Sequence, residues 1–141
     1  MADNRTPSQR SYIMSRIKST NTKPEELVRK YLFSKGFRYR KNVKRLPGKP
    51  DIVLPKYRTV VFVNGCFWHK HDCSNFKWPK SNLDYWIPKI ENNAKRDVEH
   101  YDNLSNEGWK VLIIWECELK KKNMEQNLEK LIKEIKTMSN Q

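Results

Sequence analysis

The sequence predicts an α/β sandwich in which helices pack against a small mixed β-sheet. Apolar residues recur at helical spacing in several segments, and short runs of β-branched residues lie between those segments. Helical and strand segments follow one another in the order α, α, β, β, β, loop, α, β, α, which is typical of a layered α/β protein. The chain has 141 residues, no internal repeat and no linker rich in Gly or Ser, so we expect a single domain.

The N-terminal third contains two predicted helices and an edge strand. Ser8–Lys18 mixes apolar and basic residues and predicts a short basic amphipathic helix or arm, within an N-terminal arm over residues 1–20. A better-marked helix begins after Thr22, which can cap it, has Pro24 in its first turn and ends at Gly36. Apolar and basic residues then alternate over Phe37–Lys41, as in an edge strand.

Two short β-branched runs predict the centre of the sheet. Ile52–Leu54 and Thr59–Val63 are separated by the turn-like segment Pro55–Arg58, so we expect an antiparallel hairpin. The following segment, Gly65–Lys80, has no periodicity but contains most of the unusual side chains.

The C-terminal half predicts a helix, a strand and a final helix. Asp84–Leu104 has an apolar stripe consisting of Ile87, Ile90, Ala94, Val98, Tyr101 and Leu104. We expect Pro88 to start or kink this helix and Gly108 to end it. Trp109–Trp115 predicts a strand buried on both faces, and Asn123–Met138 predicts a surface helix packed through one stripe. The core then spans residues 20–119, and the C-terminal helix lies within 120–141.

The charge of the chain favours a nucleic-acid partner. There are 29 Lys and Arg residues against 16 Asp and Glu, a formal net charge of +13 at pH 7. Such a charge on a small domain concentrates polyanions near its surface, although a basic and merely well-solvated surface is the alternative. We find no apolar run of about 18 residues and no charged-then-apolar leader, so we expect a soluble, unprocessed and cytoplasmic protein.

The cysteines predict a structural zinc site. Cys66, His71, Cys73 and Cys117 supply three thiolates and one imidazole, which make a closed tetrahedral set for Zn²⁺. Three cysteines are too few for a disulfide scaffold, and they suit a reducing compartment. His69 is the alternative fourth ligand, and three unrelated cysteines beside exposed histidines are the alternative to a metal site.

A second group of residues predicts hydrolytic chemistry. Asp51 follows Pro50 at the start of a central strand, and this Pro-Asp resembles that of restriction-endonuclease-like nucleases, whose carboxylate binds Mg²⁺. The Asp/Glu-x-Lys that normally follows is absent here, and an aspartate that caps a loop is the alternative.

Two further side chains strengthen the hydrolytic interpretation. If His71 completes the zinc set, His69 is left to deprotonate an attacking water. Asp97 lies on the inward side of the long helix, where a histidine partner would offset its burial and fix the tautomer of the ring. A salt bridge between Asp97 and Lys95, Arg96 or another surface cation is the alternative.

Aromatic residues near the unusual loop predict contact with DNA bases. Phe67 and Trp68 are adjacent in a polar loop, where packing in the core would account for only one of them. An exposed aromatic pair on a basic protein suits insertion into a base stack. For Trp86, ordinary packing on the helix stripe is the alternative.

Four blocks of the chain resemble the very short patch repair endonucleases. In order, they are Leu46–Asp51, Gly65–Cys73, Lys89–Asp97 and Gly108–Cys117, and the resemblance spans roughly residues 20–119. It implies a restriction-endonuclease-like α/β/α sandwich with a zinc-stapled loop. It also implies a nick on the 5′ side of the mispaired T in a T:G mismatch, which arises when 5-methylcytosine deaminates. A cytosine-5 methyltransferase is the implied genomic companion.

The resemblance also implies a role for individual residues. Asp51 would ligate Mg²⁺ with help from the backbone carbonyl of Val63, and Glu25 would hold metal-bound water. His69 would be the general base and Asp97 its orienting partner. The implied zinc ligands are Cys66, His71, Cys73 and Cys117, and the implied DNA-inserting residues are Phe67, Trp68, Trp86 and Met14, the last from the minor groove. Val63 and Asn64 differ from the Thr-His pair of some family members, which leaves open what their side chains do.

Two other functions fit parts of the same pattern. One is a restriction enzyme for intact duplex on the same scaffold, and the other is a non-catalytic zinc-bearing DNA-binding module. A DNA-binding module would not cleave DNA in the presence of Mg²⁺. A restriction enzyme would cleave matched duplexes, whereas a mismatch endonuclease would cleave mismatched ones. Nicking one strand needs only one active site, so we expect a monomer.

Overall fold

The computed structural model describes residues 22–73 and 76–137. We label the helices and strands in chain order: α1 (Lys23–Ser34), β1 (Arg40–Lys41), β2 (Ile52–Leu54), β3 (Thr59–Asn64), α2 (Leu83–Asn106), β4 (Lys110–Trp115) and α3 (Met124–Lys136). Two short 3-10 helices, Pro55–Tyr57 and Glu116–Leu119, follow β2 and β4. The predicted basic arm Ser8–Lys18, with Met14, lies outside the described residues.

Helix α1 forms as its capping residues predict. The Thr22 side chain accepts a hydrogen bond from the backbone N–H of Glu25 at 3.4 Å, which satisfies one of the free donors of the first turn. Gly36 follows the helix at φ +90°, a conformation that glycine adopts without strain. The helix buries Val28 and Leu32 completely.

The sheet is mixed and has the strand order β1-β2-β3-β4. Strands β2 and β3 form the predicted antiparallel hairpin, while β3 and β4 are parallel from Thr59 opposite Lys110 to Asn64 opposite Trp115. The long helix α2 makes the connection between the parallel pair, as parallel strands require.

Two strands differ from their predicted extent or burial. The edge strand β1 has only two residues, and Phe37 packs into the core, 3% exposed, rather than lying in the strand. Both faces of β4 pack against a core, as predicted, with Leu112 and Ile114 on one face and Val111 and Ile113 on the other. The burial is less complete than predicted, because within the described residues β4 is an edge strand. Ile114 is its only buried residue there, and the other five are half-buried.

Alternate side chains of the strands pack into two separate hydrophobic cores, one on each face of the sheet. On one face, Ile52, Leu54 and Val61 pack with α1 and α3. On the other face, Val53 and Val60 pack with Leu104 and other residues of α2. This period-2 alternation places the sheet between two helical layers and confirms the predicted α/β sandwich.

Helix α2 is rotated relative to its predicted apolar stripe. Ile87 and Val98 were expected to face inward, but they are 41% and 57% exposed, whereas Trp86 is buried. Asp97 lies on the inward face of the helix, as expected, and lines a cavity. Pro88 does not start the helix, which already begins at Leu83.

The last helix packs on one stripe, as predicted. Leu128, Leu131 and Ile135 of α3 are buried. The ammonium group of Lys110 donates hydrogen bonds to the carbonyls of Glu134 at 2.6 Å and Ile135 at 3.1 Å, which ties the end of α3 to the start of β4. Within residues 22–73 and 76–137, no helix combines the length and apolar character needed to cross a membrane.

Candidate active site and metal centre

A cavity of about 640 Å³ lies where α1 and α2 meet the end of the sheet. All four predicted catalytic residues line it, together with the residue whose carbonyl was expected to assist: Glu25, Asp51, Val63, His69 and Asp97. These positions span more than seventy residues of chain, so the fold brings together a set that the sequence could only suggest.

Asp51 lies immediately before β2, at the base of this cavity. Its Oδ2 accepts a hydrogen bond of 2.7 Å from the backbone N–H of Val63 on the neighbouring strand, which fixes the carboxyl group. Burial raises the pKa of Asp51 to about 7, and the nearby charge of Glu25 acts in the same direction. A carboxylate that is costly to ionise in this place would be stabilised by a bound cation.

Glu25 reaches the cavity from the first turn of α1. It is only 3% exposed, and the guanidinium of Arg29 donates to its Oε2 at 2.7 Å, one helical turn further on. The buried ion pair holds the glutamate side chain in place, because removing either partner would leave an uncompensated charge inside the protein.

His69 and Asp97 form a close pair at the cavity wall. The distance from His69 Nδ1 to Asp97 Oδ2 is 2.6 Å, and the two side chains are 28% and 20% exposed. With the ring N–H donating from Nδ1 to the carboxylate, Nε2 is left as the basic nitrogen. The structure therefore pairs Asp97 with His69, and not with Lys95 or Arg96 as in the surface salt bridge that was the alternative.

The four predicted zinc ligands converge beside this cavity. One ligand atom each from Cys66, His71, Cys73 and Cys117 lies within 4.8 Å of all the others. His69, the alternative fourth ligand, is outside the group. Three sulfur atoms and one ring nitrogen form a set that suits Zn²⁺ and not the oxygen-seeking Mg²⁺.

The parallel strands explain how these cysteines meet. Asn64 lies opposite Trp115 in the register of β3 and β4, so Cys66 and Cys117, each two residues further along, leave the sheet at the same edge. Burial raises the pKa of the Cys66 thiol. It raises that of Cys117 to about 12, with a further contribution from the neighbouring Cys66. A divalent cation would oppose this effect by stabilising the thiolates.

The proposed DNA-inserting rings pack against one another. The ring of Phe67 lies 5.2 Å from Trp68 and 5.5 Å from Trp86, measured between centroids. Phe67 and Trp68 are half-buried, whereas Trp86 is 5% exposed and packs at the start of α2. The burial of Trp86 agrees with the alternative that this ring packs within the protein. Insertion of the three rings into DNA remains a prediction.

Sequence reasoning missed two side chains at these sites. Trp115, the last residue of β4, packs its ring on the imidazole of His71. Tyr101 was assigned to a packing stripe, but it also lines the cavity and bonds Asn64. The position of Trp115 two residues before the predicted zinc ligand Cys117 could have pointed to it, because neighbours of a metal ligand often contact the other ligands.

The chain is similar to DNA endonucleases over most of its length. Residues 2–75 match the family described as DNA mismatch endonuclease Vsr. The type II nicking enzyme V.NmeAIP of Neisseria meningitidis is 54% identical over 137 residues, which cover 96% of this chain and 98% of the relative. The type II nicking enzyme V.XorIIP of Xanthomonas oryzae is 51% identical, with coverage of 84% and 88%. The DNA mismatch endonuclease Vsr of Escherichia coli is 40% identical, with coverage of 85% and 77%.

Proposed function

Because the chain belongs to the DNA mismatch endonuclease Vsr family and is a DNA endonuclease, we propose that it nicks one strand of duplex DNA at a T:G mismatch. The cut would fall on the 5′ side of the mispaired T. The observation that carries the proposal is the pairing of His69 with Asp97 in the cavity that also contains Asp51. A general base and a metal-binding carboxylate facing one space can together activate a water molecule and stabilise charge on a phosphodiester.

The cavity fits a catalytic Mg²⁺. Asp51 and the carbonyl of Val63 offer oxygen ligands, and Glu25 would hold water beside the ion. Bound Mg²⁺ would supply positive charge against the charge that develops on the phosphate. The high pKa of Asp51 supports this assignment, because a cation at this position would offset the cost of burying the carboxylate.

Each of the side chains around the cavity would have a separate role in hydrolysis. Nε2 of His69 takes a proton from the attacking water, and Asp97 stabilises the imidazolium that forms. Asp51 keeps its orientation through the hydrogen bond from Val63. The water oxygen forms a bond to phosphorus while the P–O bond to one sugar breaks. The departing sugar oxygen takes a proton from solvent water, which leaves a nick in one strand.

The cluster of three cysteines and His71 would bind a structural Zn²⁺. These four protein ligands would fill a tetrahedral ion's coordination positions and leave none for substrate. The ion would bind the loop after β3 to the end of β4, and so place His69 within that loop. Phe67, Trp68 and Trp86 would insert beside the mismatch, with Met14 entering from the minor groove.

The biological setting follows from the substrate. A T:G mismatch arises from deamination of 5-methylcytosine, so the proposed genomic companion is a cytosine-5 methyltransferase, and the enzyme would act as a monomer on the nucleoid in the cytoplasm of a prokaryote. Some relatives are named type II nicking enzymes, which supports cleavage of one strand.

A substrate panel tests the proposal. Matched duplexes, T:G duplexes and other mismatches are incubated with Mg²⁺, and labelled strands report nicks and double-strand cuts separately. Selective nicking of the T strand at T:G is expected, and the flanking sequence is varied to find the preferred context. Double-strand cutting of matched duplex would instead show a restriction enzyme, and binding without cleavage would show a DNA-binding module.

A further inference from the structure

Asn64 and Tyr101 form a fixed hydrogen-bonded pair at the cavity. Asn64 ends β3 and is only 3% exposed, and its Nδ2 donates to the hydroxyl oxygen of Tyr101 on α2 at 2.8 Å. The ring of Tyr101 packs edge-on against Phe62, with centroids 5.0 Å apart. Since the ring and the hydroxyl oxygen are both held, the position of the hydroxyl group is defined by the fold.

The hydroxyl hydrogen of Tyr101 is available to a further partner. The hydroxyl oxygen of Tyr101 accepts the hydrogen bond from Asn64. A phenol can also donate one hydrogen bond of its own in addition to those it accepts. Among residues 22–73 and 76–137, the structure gives the Tyr101 hydroxyl no acceptor of its own. Both side chains line the same cavity as Asp51 and Asp97.

The surroundings keep this group a neutral donor. Burial raises the pKa of Tyr101 to about 12, and the charges of Asp97 and Asp51 contribute in the same direction. A lysine in this place would form ion pairs with the two carboxylates, whereas a neutral hydroxyl stays free to donate to an incoming group. Such a donor would stabilise the anionic oxygen of a phosphodiester beside carboxylates that repel it.

We propose that Tyr101 is a catalytic residue that donates a hydrogen bond to a non-bridging oxygen of the scissile phosphate, and that Asn64 positions it. The inference rests on the proposed function, because it assumes that the cavity receives a phosphodiester. It adds a contact to the substrate that is independent of the metal and of the His69–Asp97 pair.

Stereospecific phosphorothioate duplexes test the contact directly. Sulfur accepts hydrogen bonds poorly, so placing it at the oxygen that Tyr101 contacts should slow single-turnover nicking by the wild-type protein. Tyr101→Phe should nick the normal substrate about 10- to 100-fold more slowly, as expected for loss of one hydrogen bond to a charged group. In that variant the penalty for one of the two phosphorothioate isomers should disappear, and Mn²⁺ should not restore the lost rate.

Two further variants complete the experiment. Asn64→Ala should reduce the rate penalty of the same phosphorothioate isomer. Combining it with Tyr101→Phe should lower the nicking rate little further than Tyr101→Phe alone. Tyr57→Phe removes a hydroxyl away from the cavity and should match the wild type in rate and in both penalties. The inference is overturned if Tyr101→Phe nicks at the wild-type rate, or if it is slower while both isomers keep their full penalties. The assay uses whichever duplex the wild type nicks, so an error in the assigned mismatch leaves this outcome readable.

Discussion

The rings of His71 and Trp115 lie parallel, with centroids 3.9 Å apart and an angle of 9° between their planes. The same indole meets the ring of His69 edge-on at 6.3 Å. One side chain at the end of β4 therefore contacts both a proposed zinc ligand and the proposed general base. Outer contacts of this kind orient metal ligands, so the metal centre and the active site share a support.

Trp115→Leu should weaken both sites without unfolding the protein. We expect zinc affinity and nicking rate each to fall about 10- to 100-fold, the usual cost of losing a contact that orients a ligand. Zinc affinity is measured by competition with a chromogenic chelator, and the rate in single turnover. Trp109→Leu, immediately before the other end of β4, is the matched control, and equal effects of the two variants would argue against a specific role.

Cys73→Ser or Cys117→Ser should release zinc and lower the melting temperature. Metal-binding free energy at a closed site of protein ligands is largely folding free energy, so the loop after β3 should lose its attachment to β4. Metal content by elemental analysis and thermal unfolding by circular dichroism report the two effects. A wild-type melting temperature that does not change on chelation would refute a structural zinc.

Asp51→Asn should abolish nicking and at the same time stabilise the metal-free protein. The pKa of Asp51 is about 7 in the fold against 3.8 for an ordinary aspartate, so the folded state binds the proton more tightly than the unfolded chain does. Between these two values the stability of the wild type falls as pH rises, and the full cost is present above pH 7. Asparagine removes that cost, which is up to about 4 kcal/mol at about 1.4 kcal/mol per pKa unit.

Urea unfolding of Asp51→Asn and wild type at pH 5 and pH 8 measures this difference. The gain should be larger at pH 8, and saturating Mg²⁺ should reduce it by stabilising the wild type alone. A variant that is less stable than the wild type at both pH values would mean that the carboxyl group serves the fold and not a cation.

Sequence signals predicted correctly those helices and strands that are specified by neighbouring residues in the chain. The cap at Thr22 and the glycine at 36 mark α1, and the β-branched runs Ile52–Leu54 and Thr59–Val63 mark the hairpin. The two faces of α2 were harder to assign, because its inward polar residues serve a cavity that forms only when α1 and the sheet meet. The bond between Asn64 and Tyr101 joins residues 37 apart, and no periodicity or spacing reports it.

His69→Ala and His71→Ala should separate the two neighbouring histidines by function. Loss of the general base should slow the chemical step by about 10² to 10⁴ while one zinc is retained. Loss of the zinc ligand should remove the metal and lower stability together with activity. Elemental analysis and single-turnover rates on both variants measure this, and loss of zinc from His69→Ala would reassign that residue to the metal.

Trp68→Ala should weaken binding to a T:G duplex more than binding to a matched duplex. Trp68 is half-buried, and its ring centroid lies 5.9 Å from that of the buried Trp86. The ring of Trp68 can therefore contact DNA bases while Trp86 supports it from the protein side. A wobble pair stacks less well than a matched pair, and opening the step beside it costs less. The loss should be about 1–3 kcal/mol, the usual worth of one stacked ring.

The dependence of this binding on salt separates stacking from charge. The slope of log K against log salt concentration should stay nearly constant in Trp68→Ala, because no phosphate-binding cation is removed. Lys89→Ala, at the cavity wall, is the matched comparison and should lower the slope while weakening both duplexes alike. Binding of T:G and T:A duplexes is measured at several salt concentrations for each protein. Equal losses on both duplexes in Trp68→Ala would mean that the aromatic rings only pack the protein, and mismatch selectivity would then depend on hydrogen bonds to the base edges.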